Sequence, residues 1–136
     1  MRRYDIWFLV LAAACLIVGV GMGIAMGIAH DFQLSPVHAH LNLLGWTSLA
    51  LFGLAYRAYP ELARSRLAGA HFATAALGAL ALPAGIALSI LAGQPGLAIA
   101  ASFVWLAAAL LFLASLVGIA LAGKPAGLAE PRVAGA

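Results

Sequence analysis

The sequence predicts an all-α membrane protein, a bundle of four transmembrane helices with both the N and C termini cytoplasmic. Three observations predict it. Of 136 residues, 65% are hydrophobic and only 8% charged, a balance outside that of soluble globular chains. Four uncharged stretches, approximately residues 6–29, 36–56, 67–91 and 96–123, reach the roughly 20 residues a helix needs to cross a hydrocarbon core. All seven Lys and Arg residues fall on one side of the alternating spans. The connections are short, so residues 1–136 form one transmembrane domain with no room for a soluble one.

The first span follows Arg2 and Arg3. Its apolar run exceeds that of a signal peptide, and the residues after it make a poor cleavage site, so it reads as a retained helix. Cys15 lies at mid-membrane depth, where the single cysteine of the chain has no intrachain partner. Gly19, Gly23 and Gly27 recur every fourth residue, with Gly21, Ala25 and Ala29 as a second small stripe beside them. Such spacing lets another backbone approach closely, and helix 2 of the same chain is the expected neighbour.

A short turn carrying His30 and Asp31 leads to the second span. Ser35 and Pro36 read as its N-cap and first helical position, which puts His38, His40 and Asn42 in its opening turns. Arg57, Arg64 and Arg66 fill the next connection. The third span holds His71 near its start and Pro83 in its interior. Pro83 is expected to kink the helix, because it removes a backbone donor and crowds the preceding turn. The "GQPG" turn at residues 93–96 joins the fourth span, and Lys124 and Arg132 follow it.

Cytoplasmic loops are the ones enriched in Lys and Arg, so both termini and the Arg57–Arg66 connection are expected inside. Tyr4, Trp7, Tyr56 and Tyr59 then form an aromatic belt at the inner interface. The histidines at 30, 38 and 40 face the outer, periplasmic side of an inner cell membrane. The net charge of +3 is accordingly a topology signal, with no nucleic-acid partner implied.

Residues two apart on a helix differ by about 200° of rotation, so His38 and His40 leave opposite flanks and do not readily chelate one ion. They are placed to reach two different neighbours. Asn42 shares the face of His38 at i+4 and can orient or hydrogen-bond what occupies it. Ionisable groups within a membrane segment are functional candidates by default. His71 is separated from His38 by most of the membrane, on the order of 25 Å. It reads as a hydrogen-bonded interfacial histidine.

Three readings remain open from the residues. Haem b held axially by imidazoles would serve electron transfer or the binding of a diatomic gas. A copper or zinc site at the outer surface would use His30, Asp31, His38 and His40. A structural or assembly subunit would carry no cofactor. There is no Cys pair, no H-E-x-x-H, no phosphate-binding Gly-rich loop and no serine with an adjacent base at membrane depth. Hydrolase and nucleotide-dependent chemistry therefore lack their signatures, and a transporter reading lacks inverted repeats and buried charge pairs. Enzyme status stays open.

The stretch PVHAHLNLLGW, Pro36 to Trp46, resembles the second transmembrane segment of short proteins related to the catalytic subunit of haem-copper oxidases and nitric oxide reductases, especially the cbb3-type branch. The resemblance is strongest over Met22 to Tyr56 and weak elsewhere. In the large subunit a helix entering from the outer face carries a His-x-His pair that serves two haems on opposite sides, and His38 and His40 match that pair. The large subunit also resembles three four-helix arcs with approximate threefold symmetry, and this chain has one arc's worth of helices. The resemblance thus implies a homo-oligomer, with a homotrimer rebuilding twelve helices and each His38 facing a neighbour's His40 across a haem. An oxidase-type copper site needs three converging histidines, more than one chain offers. No Lys or Arg lies outside to meet haem propionates, so backbone N–H groups, His30, Gln33 or water would serve.

Overall fold

Uncharged runs of Leu, Ala, Ile and Val leave the backbone as the main polar system to be satisfied, and a helix satisfies it within its own segment. The computed structural model describes residues 3–122. Among these, every regular element is helical: α1 (Tyr4–Ala29), α2 (Ser35–His40), a π-helix (Leu41–Ser48), α3 (Leu49–Ala58), α4 (Pro60–Arg64), α5 (Ala68–Ala92) and α6 (Gly96–Leu121). Three of these, α1, α5 and α6, are long and apolar enough to cross a membrane. Arg2, Lys124, Arg132 and the last residue of the expected fourth span, Gly123, lie outside the described residues.

The span expected as one regular helix over 36–56 is instead α2, the π-helix and α3 in succession, a single rod with a change of winding in its middle. Its buried residues include Val37, Leu41, Gly45, Leu49 and Gly53, each four positions after the last. In an α-helix every such step overshoots a full turn by about 40°, and the stripe would wind off the contact face. Bonding i→i+5 widens the turn and holds the stripe in line. The rod starts one residue earlier than the capping pattern suggests: Leu34 is the N-cap, and the Ser35 hydroxyl donates to the carbonyl of Phe32 at 2.8 Å.

α1 lies along the rod, and α5 packs against both the rod and α6. The α5–α6 turn closes at Gly93, whose φ of 66° is the left-handed conformation that glycine adopts without penalty. α5 and α6 approach closely where Gly78 faces Trp105 and Gly85 faces the backbone of Leu97 and Ala98. The helical course of α5 is unbroken through the buried Pro83, so the expected kink does not interrupt the helix. α6 buries only Ala101, Ala108 and Ser115, one residue every second turn, and leaves Phe103, Leu110 and Leu121 exposed. Apolar exposure on that scale suits lipid contact.

The expected aromatic belt divides in two. Trp7 and Tyr59 are exposed, whereas Tyr56 is 3% exposed and belongs to the core with Phe8, Leu49 and Leu62, and Tyr4 packs against that core.

Candidate functional site

The small-residue stripe of α1 explains where His38 sits. Along the antiparallel α1–rod contact, Gly23 faces the His38 ring, Gly19 faces the Asn42 amide, and Gly45 of the rod faces Cys15. A Cβ added at Gly23 would lie 3.0 Å from His38 Cε1, and one at Gly19 would lie 2.6 Å from the Asn42 amide. Glycine is therefore what makes room for two polar side chains between two apolar helices. Gly21 and Gly27 meet nothing within 4 Å, so the contact uses one part of one stripe, on the expected helix of the same chain.

In that notch His38 Nδ1 lies 2.9 Å from the carbonyl oxygen of Gly19. A carbonyl only accepts, so Nδ1 carries the proton and donates it. The Asn42 amide donates to the carbonyl of His38 at 2.9 Å, and its longer 3.4 Å approach to Nδ1 is secondary. His40 follows the same rule: its Nδ1 donates to the carbonyl of Pro36 at 2.7 Å. In its neutral form each imidazole then presents an Nε2 lone pair. A ring whose Nδ1–H is held by a carbonyl has its tautomer and orientation fixed for metal ligation.

Of the expected site residues, the structure brings His38 and Asn42 together and leaves His40 on the rod's own flank, bonded within its own turn. His30 terminates α1 in the left-handed conformation at φ 51°, its backbone N–H donating to Met26, and its side chain is exposed. Asp31 accepts the backbone N–H of Gln33 at 3.0 Å. Among the described residues no three His, Cys, Asp or Glu side chains gather as a metal-holding group. A groove of about 320 Å³ beside this end is lined by Met26, Asp31, Gln33 and Leu91, without His38 or His40.

The other end of the bundle holds what sequence reasoning missed. His71 is fully buried within the bundle. Its Nδ1 is 2.9 Å from the Tyr56 hydroxyl. Its ring stacks on Tyr56 and Phe112 with interplanar angles of 24° and 22°, and meets Phe52 edge-on at 4.7 Å and Phe8 at 5.3 Å. These rings come from α1, α3 and α6, so every long segment of the bundle touches the imidazole of α5. The signal was present as depth: Phe8 and His71 lie near the starts of their helices, Phe52 and Tyr56 near the end of theirs. Neighbouring helices run oppositely, so these residues share one level.

The chain matches no protein-family model, no curated protein and no solved structure.

Proposed function

We propose that this chain is an integral membrane haem b-binding protein that transfers electrons or binds a diatomic gas, with His38 and His40 as the residues that would hold the iron. The observation that carries the reading is the pair of imidazoles on one helix, each with Nδ1–H committed to a backbone carbonyl and Nε2 free. This donor set fits haem iron, which takes neutral imidazole axially and is tuned by the hydrogen bond on the other ring nitrogen. Bound haem supplies one-electron exchange at its iron. The residues of the chain orient the ligands: Gly19 and Pro36 fix the tautomers, Asn42 braces the His38 backbone, and the glycine notch sets the depth of the ring.

The rod of residues 35–58 is proposed as a fourth membrane crossing beside α1, α5 and α6. Both termini then lie in the cytoplasm, as the grouping of Lys and Arg requires, and the His38–His40 end faces the outer side of the inner membrane. Two imidazoles on different flanks of one helix do not meet on one iron, so bis-histidine coordination calls for a second copy. A homotrimer pairing each His38 with a neighbour's His40 would offer two histidines to each haem and agrees with the resemblance to the haem-copper oxidase and nitric oxide reductase catalytic subunit.

The test is the reduced-minus-oxidised visible spectrum of protein purified in mild detergent after expression with added haem precursor, recorded across a sizing column. Low-spin haem b confined to the oligomer is expected. Colourless protein refutes the haem reading, and a monomer carrying six-coordinate low-spin haem refutes the intersubunit arrangement.

A further inference from the structure

A groove of about 500 Å³ lies at the end of the bundle opposite His38, between α4 and the last turns of α6. Leu62, 1% exposed, anchors α4 to the core. Glu61 and Ser65 are thereby left on the edge of the groove, tied together by the Ser65 N–H donating to the Glu61 carbonyl at 3.1 Å. Ala114, Gly118 and Ala122 form the wall on α6, and a Cβ added at Gly118 would meet nothing within 4 Å. Wall and edge differ in chemistry. Ser115 also lines the wall, but its hydroxyl proton goes to the carbonyl of Leu111 at 2.8 Å, so beside Ile119 the wall is close to hydrocarbon. On the edge, Ser65 Oγ accepts the backbone N–H of Leu67 at 3.1 Å, and the Glu61 carboxylate meets no cation among the described residues. Arg64 and Arg66 flank Ser65 in the chain, exposed and likewise without an ion pair among the described residues.

We propose that this groove binds one molecule of phosphatidylethanolamine, its ammonium donating to the Glu61 carboxylate, its phosphate facing the Arg64–Arg66 connection and an acyl chain lying along the α6 wall. The place suits an amphiphile: α5 begins at Ala68 and α6 ends at Leu121, so the edge stands where the apolar spans stop and headgroups begin. The charges select the headgroup. A carboxylate only accepts hydrogen bonds, and a cationic N–H donor gives it the stronger kind. Ethanolamine brings three such donors. Choline carries the same charge without an N–H, and glycerol headgroups bring no cation at all. The phosphate in turn matches the two arginines, a pairing that guanidinium geometry favours. The inference needs α5 and α6 in a bilayer and is independent of the haem reading.

The experiment titrates the delipidated full chain in detergent micelles with dioleoyl phosphatidylethanolamine or dioleoyl phosphatidylcholine and counts retained lipid by native mass spectrometry. One phosphatidylethanolamine per chain is expected, preferred over phosphatidylcholine by about tenfold or more, the worth of a charge-assisted hydrogen bond. Glu61→Gln keeps the shape of the edge without its charge and should bring the two lipids level. Gly118→Leu places its side chain in the open groove and should displace both. Equal retention of the two lipids by the native protein, or undiminished phosphatidylethanolamine binding by either variant, overturns the proposal. Retention that appears only in Lys124→Gln overturns it too, since the chain beyond Ala122 would then be the occupant. Should Gly118→Leu fail to fold, Glu61→Gln, at an exposed position, decides alone.

Discussion

Replacing Gly23 by leucine should separate α1 from the rod, and replacing Gly27 should not. At Gly23 the first added carbon already stands 3.0 Å from His38 Cε1, closer than side chains normally pack, and three further carbons have no space. The His38 ring must leave the notch, which breaks its 2.9 Å hydrogen bond to Gly19. Overpacking costs about 1–3 kcal/mol and the lost hydrogen bond about 1 kcal/mol more, so about 2–4 kcal/mol is expected. Gly27 meets nothing within 4 Å, and its leucine variant experiences the same gain in helix propensity. The difference between the two variants therefore isolates packing. Unfolding in mixed micelles, followed by circular dichroism, should place Gly23→Leu below Gly27→Leu by that margin. Equal stability of the pair would refute the notch as the seat of His38.

His38→Ala and His40→Ala should each remove most of the haem absorbance of the purified oligomer, because each deletes an axial bond; retention of the full spectrum by either refutes its assignment as a ligand. Phe8→Ala empties a fully buried site that touches Phe52, Tyr56, His71 and Phe72 and should cost about 3–5 kcal/mol in the same unfolding assay. A loss under 1 kcal/mol would show that the aromatic cluster is not the core. A reporter fused after Ala136 should behave as cytoplasmic and one inserted at Gln94 as external, and the reverse pattern would invert the placement of the histidines.

The sequence by itself determined the helical class, the approximate ends of α1, α5 and α6, and the two-residue spacing of His38 and His40. Each follows from local rules: hydrocarbon length, the need to satisfy the backbone within a segment, and fixed rotation per residue. The glycine stripe was also legible as a contact surface, since small residues at every fourth position have few other uses in an apolar helix. Tertiary structure alone decided which glycines are used, because Gly19 and Gly23 differ from Gly27 only in what stands opposite them. It decided the π winding of residues 41–48, where keeping one face on α1 prevails over the regular α repeat. It decided the tautomers of His38 and His40, since a proton's position depends on the carbonyl it meets. It also decided the fate of His71 and Tyr56. Their composition and depth mark them as interfacial, but rings from three other helical segments close around the imidazole, and burial is a property of the neighbours a residue acquires, not of the residue itself.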